Sequence, residues 1–158
     1  MSLLGFRSLV LVGLCVLAEG RIARADIDSH SVPTVRFLSS MPGHLDWRGR
    51  GDVSLQHTFC VESATGHFVL DVASMTGGLN GQTIIPYEVT IEINGRVQTG
   101  VISRNSPIFS FRGETSRSSN CLVPSNVGVL TVRLLQKDAM GAVSGSYADQ
   151  LSVSVASN

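Results

Sequence analysis

In Tyr87 to Ile93 every second residue is large and apolar, so Tyr87, Val89, Ile91 and Ile93 share one face while Glu88, Thr90 and Glu92 share the other. That is the period of a half-buried β-strand, with one side on a core and one in water. Asn94-Gly95 follows, a pair whose tolerance of positive φ makes a type I′ hairpin turn, and Arg96 to Val101 returns as the partner strand. From Asp52 onward the same logic recurs: apolar segments of roughly 6 to 11 residues alternate with Gly, Ser, Asn and Pro clusters. Five more strands are expected at Val53 to Cys60, His67 to Ala73, Ile108 to Arg112, Gly128 to Leu135 and Ala148 to Val155. Alternation turns Leu130, Val132 and Leu134 inward on one of them, and Leu151, Val153 and Val155 inward on the last. No helix of useful length and no internal repeat is visible, which leaves an all-β sandwich or barrel of about seven strands.

The chain has 158 residues, enough for one domain of ordinary size. It is 43% hydrophobic and 15% charged with 16 glycines, which excludes a solvated disordered chain, a coiled coil and a basic nucleic-acid-binding module. Residues 1–25 read as a secretory signal: Arg7 precedes an apolar run from Leu9 to Ala18, and Ala23-Arg24-Ala25 places small residues where a signal peptidase needs them. As a helix that run rises only about 15 Å, half of the roughly 30 Å hydrocarbon core, so it is too short for an anchor. Cys15 leaves with it. A chain of 12 basic and 12 acidic residues that loses Arg7, Arg21, Arg24 and Glu19 is left with a net charge of −2 and a single lysine, Lys137. Such a surface offers little to a polyanion, so nucleic acid is not expected as a partner. Cys60 and Cys121 remain, and an even pair in an exported chain is most simply one disulfide, with two buried free thiols as the alternative.

Residues 26–51 are rich in turn formers, including Pro33, Pro42, Gly43, Gly49 and Gly51, and are expected as an amino-terminal extension without core, ahead of a β body over 52–158. The sequence has no phosphate-cradling loop, no dinucleotide fingerprint, no His-Glu-x-x-His zinc motif and no Gly-x-Ser-x-Gly nucleophile elbow. Gly77 to Gly81 lacks a following helix or lysine and reads as a loop between strands. His30, His44, His57 and His67 are isolated, and a mixed His/Cys site around Cys60 would lose its thiolate to the disulfide. Glu88 and Glu92 lie about 13 Å apart along a strand, too far for the roughly 5 to 9.5 Å of a glycosidase pair. No metal, no cofactor and no enzymatic activity is expected. Trp47 is either a sugar-stacking aromatic or a large residue folded onto the edge of the domain.

The carboxy-terminal third carries Leu130 to Leu135, a loop, and then Gly145-Ser-Tyr147-Ala-Asp149-Gln-Leu151-Ser-Val153-Ser-Val155 close to the last residue. This resembles the closing segment of chaperone-usher pilus subunits, especially the archaic, spore-coat-protein-U-like branch, whose last strand follows a Gly-x-Tyr-x-Asp lead-in. Gly145 is fourteenth from the last residue, where pilins tend to carry a glycine, and Cys60 near the first body strand suits the same plan. The resemblance implies an immunoglobulin-like sandwich lacking one strand, with a hydrophobic groove along Leu151, Val153 and Val155. It further implies export to the periplasm and then the cell surface, a periplasmic chaperone and outer-membrane usher as partners, and head-to-tail joining of neighbouring subunits in a fimbria that supports adhesion or biofilm formation. Val35 and Phe37 are the expected donor-strand residues, since alternate side chains are what such a groove reads. Two other classes remain open on the residues: a complete secreted β-sandwich that binds carbohydrate or protein as a monomer through Trp47 and the loop at Gly77 to Gly81, and a small enzyme with a dispersed site.

Overall fold

The computed structural model describes residues 32–39, 45–117 and 120–158, and the features read in residues 1–31, including the signal sequence and His30, lie outside them, as does His44. Strands β1 (Thr34–Phe37), β2 (Val53–Glu62), β9 (Val127–Leu134), β6 (Tyr87–Ile93) and β7 (Arg96–Ile102) form one sheet in that spatial order. Strands β10 (Leu151–Ala156), β3 (His67–Ser74) and β8 (Ile108–Glu114) form the second. Two short strands, β4 (Leu79–Asn80) and β5 (Ile84–Ile85), pair with each other. All pairings are antiparallel. Among the described residues the helical content is slight, with one 3-10 turn at Pro124–Asn126 and one helical turn, α1 (Gln136–Ala139).

The architecture is the expected all-β sandwich, and each of the seven expected segments is a strand. Its core follows from period-two alternation: Tyr87, Val89, Ile91 and Ile93 are at most 1% exposed, and they meet Phe68, Leu70, Val72 and Phe111 of the facing sheet. The hairpin turn has φ of 50° at Asn94 and 73° at Gly95, the doubly positive geometry that a type I′ turn requires. At the opposite end of the sandwich Asp52 ties β2 to the chain leaving β9. The Gln136 backbone N–H donates to Asp52 Oδ1 at 2.8 Å, and this bond, with the Arg133 guanidinium, holds the Asp52 carboxyl below its usual range.

One long side of the sandwich is closed by β7 and β8. Gly100 lies so near the Phe109 ring that a Cβ there would stand 2.2 Å from Phe109 Cδ2. Phe109 is 8% exposed and belongs to the main core, so Gly100→Ala is expected to lower stability by about 2 kcal/mol through overpacking. A wild-type urea midpoint for that variant would show that the side is looser than described.

Three boundaries differ from expectation. The stretch expected as an extension without core supplies β1, so that among the described residues the sandwich begins at Thr34 and not at Asp52. Val35, Phe37 and Leu45 pack on the main core, and Trp47 packs on a smaller cluster around Ile85, Leu134 and Ala139. The last strand begins at Leu151, because Ala148 pairs with Asn80 of β4 and Asp149 turns toward hydroxyl groups. The glycine-rich loop itself contains β4.

Candidate functional site

The other long side of the sandwich is bounded by β1 and β10, edge strands of different sheets that approach each other across its mouth. β10 pairs with β3 in the register Leu151↔Ser74, Val153↔Val72, Val155↔Leu70. Val72 and Leu70 are at most 1% exposed, whereas Leu151, Val153 and Val155, on the same face and directly across, are only half-buried. β1 shows the same asymmetry: Val35 and Phe37 are half-buried beside the buried Val61 and Phe59. Side chains on an edge strand are covered from one flank only, and here two edge strands leave five apolar side chains along one seam. Among the described residues no strand pairs with the second edge of β10, whose backbone groups are therefore a template for another strand.

β1 is held at this seam by more than its ladder. Phe37 packs 6.4 Å from the Phe59 ring and edge-on to His57 at 6.2 Å, while the Thr58 N–H donates to Ser39 Oγ at 3.2 Å. On the outer face the Arg36 guanidinium pairs with Glu62 and lies 3.0 Å from Cys121 Sγ. Cys60 and Cys121 form a disulfide across 61 residues of sequence with a Cα–Cα distance of 5.7 Å. Cys60, Glu62 and Cys121 come within 4.8 Å of one another, but each sulfur is bonded to the other and neither is a thiolate ligand. His57 is buried against Phe37, and His67 faces Glu114 at 3.7 Å, so the two histidines are placed apart.

The start of β10 is fixed by a polar hub that residue-by-residue reading missed. The Tyr87 hydroxyl donates to Asp149 Oδ2 at 2.6 Å and the Ser74 hydroxyl to the same oxygen at 2.5 Å. Thr76 Oγ1 lies 2.9 Å from Oδ1, its proton shared with the Gly78 carbonyl at 2.6 Å, and the Gln150 N–H donates to Oδ1 at 2.7 Å. Ser74 Oγ in turn accepts the N–H groups of Gly77 and Gly78. Positions 74, 76, 87 and 149 are scattered in sequence, and only the Asp of the Gly-x-Tyr-x-Asp lead-in signalled the hub. Tyr147 of that lead-in donates its hydroxyl to the Val143 carbonyl at 2.8 Å and packs on the smaller cluster. Gly145 is exposed, with nothing within 4 Å of where its Cβ would be, so packing does not require a glycine there.

Burial, together with the Asp149 carboxylate, pushes the Tyr87 phenol above its ordinary range. A pKa raised by folding contributes stability that is complete below the unfolded value of about 10 and is lost as pH rises from there toward the folded value. Urea unfolding of the wild type is therefore expected to weaken above pH 10 more steeply than that of Tyr87→Phe, by up to about 1.4 kcal/mol per pH unit. Parallel pH profiles for the two proteins would contradict this.

The loop at Gly77 forms one wall of an open hollow of about 360 Å³ with Ile84, Pro86, Ser103, Arg104 and Asn105. Trp47 does not line it, and the Trp47 Nε1–H donates to the Gly51 carbonyl at 2.9 Å. No helix among the described residues is long and apolar enough to cross a membrane.

No protein family and no curated protein matches the sequence. Among solved structures, the chain is similar to one from a complex described as "Chaperone-tip adhesin complex is vital for synergistic activation of CFA/I fimbriae biogenesis", with a TM-score of 0.51 and 12% identity. The match covers 82% of this chain but 42% of that one, so this protein spans less than half of its structural neighbour, and what the two share is the fold.

Proposed function

We propose that this protein is an exported, non-enzymatic structural subunit of a surface fibre, joined to its neighbour by strand addition at the seam between β1 and β10. The observation that carries the reading is the row of half-buried Val35, Phe37, Leu151, Val153 and Val155 beside a strand edge that no strand among the described residues pairs with. A strand laid along β10 would gain backbone hydrogen bonds from that edge and bury alternate apolar side chains among those five. The fold shared with a chain of a fimbrial chaperone–adhesin complex supports this reading, and so does the disulfide, which belongs with an oxidising compartment. Val35 and Phe37, the expected donor residues, pair with Val61 and Phe59 of β2, and on this reading they belong to the acceptor seam. A periplasmic chaperone would cover the seam before assembly, and an outer-membrane usher would hand it to the next subunit. Head-to-tail addition of this kind does not close, so its product is a filament suited to adhesion or biofilm formation.

The test is the behaviour of the mature protein purified without a companion. Monomer is expected to disappear into aggregates or polymers with time and concentration, and the outer-edge amides of β10 are expected to exchange with solvent quickly. A stable monomer in which β10 amides exchange as slowly as those of β3 would overturn the proposal and make a complete, monomeric sandwich the better account.

A further inference from the structure

Among the described residues β10 has one hydrogen-bonded neighbour, β3, and its sequence repeats with a two-residue period: Leu151, Val153 and Val155 inward, Ser152, Ser154 and Ala156 outward. A slip of one residue would turn the apolar set to solvent, but a slip of two preserves both faces, so patterning alone leaves the register open. In that slip Gln150 would face Ala73, and Asp149 would take the place of Leu151 opposite Ser74. The opposite slip carries Leu151 past the end of β3.

We infer that Asp149 is the positioning residue of this edge, the group that selects a single register for β10. Its carboxylate joins three segments at once: Ser74 at the end of β3, the turn at Thr76, and Tyr87 in the other sheet. A two-residue slip moves the carboxylate about 6.6 Å along the strand, so that it still faces Ser74 but leaves Tyr87 and Thr76, which reach it at 2.6 and 2.9 Å. It also drives a charge into the half-buried site of an apolar side chain, which costs more than any side-chain exchange that keeps the face apolar. The backbone bridge of Ala148 to Asn80 depends on the same hub, because the turn leading into β4 is held by Gly77 and Gly78 donating to Ser74 Oγ. Hydroxyls gathered on one carboxylate in a partly dry site make a strong and directional constraint. The consequence for the proposed function, on which this use of the register rests, is that an incoming strand meets one fixed spacing of edge groups and not a mixture of two.

The experiment reads register directly in the monomer fraction by paired cysteines. Ala73→Cys with Ser152→Cys reports the observed register, and Ala73→Cys with Gln150→Cys reports the slipped one, each oxidised and mapped by mass spectrometry. With Asp149 present, the first pair is expected to cross-link and the second to stay reduced. Asp149→Ala should raise the slipped cross-link about tenfold, the scale set by losing hydrogen bonds to a charged group. Tyr87→Phe, which keeps the core filled and removes one hydroxyl, should raise it severalfold, so the test survives if Asp149→Ala does not fold. A slipped cross-link that stays at background in the folded variants would overturn the inference. Because the readout needs no partner, that failure would leave the strand-addition reading standing, and a failure of strand addition would leave the register result standing.

Discussion

Replacing both Cys60 and Cys121 by serine is expected to lower the stability of the folded protein by about 4 kcal/mol, most of what a domain of this size has to spare. The bridge closes a loop of 61 residues, and holding such a loop closed removes conformations chiefly from the unfolded chain. Cys60 is wholly buried, so the serine hydroxyl at that position must also find a partner among Arg36 and Glu62 or lie unpaired. The loss reaches the seam, because Arg36 of β1 rests on Cys121 and Glu62 together. Urea midpoints with and without reductant give the measurement: the wild type in reductant should match the double serine variant, and the variant should not respond to reductant. A difference below about 1 kcal/mol between oxidised and reduced wild type would show that the loop between β2 and β9 is already constrained without the bridge.

What was legible in the sequence divides along a physical line. β6, β9 and β10 were readable because each alternates over six or more residues, long enough for period two to stand out from chance. The turn at Asn94-Gly95 was readable because few other dipeptides accept two positive φ angles. β1 alternates as cleanly, with Val35 and Phe37 inward, but it has four residues among turn formers, and its alternation suits an exchange with a neighbour as well as a place in its own sandwich. A sequence cannot say whose sheet a strand joins; the pairing of Thr34 to Phe37 with Phe59 to Glu62 is a tertiary fact. The Asp149 hub was hidden for a related reason, since its hydroxyls come from β3, a turn and the facing sheet, and no local spacing links them. Trp47 shows the reverse case, where a bland expectation of edge packing is what the structure contains.

Val153→Asp is expected to separate folding from joining, which Phe37→Asp cannot do. Phe37 packs on Phe59 and His57 inside its own sandwich, so a carboxylate there should cost about 3 kcal/mol and lower the melting temperature of the lone domain. Val153 lies on the same inner face as Val72, but Val72 is fully buried and Val153 is half open to solvent. A carboxylate at Val72 would be trapped without partners and should unfold the protein, whereas one at Val153 can turn into the seam and keep much of its hydration, at a cost of about 2 kcal/mol. In a sandwich closed on both sides the two substitutions would be equally damaging. Strand addition changes the balance, because the arriving strand covers the seam and must desolvate the carboxylate that the isolated subunit left wet. Val153→Asp should therefore give a folded monomer that no longer polymerises, while Ser152→Asp, one residue away on the exposed outer face, should fold and join like the wild type. Melting curves and sedimentation on the four proteins decide the matter: polymerisation of Val153→Asp at the wild-type rate would mean that subunits do not meet at this seam, and unfolding of Val153→Asp as complete as that of Val72→Asp would mean that the seam is shut.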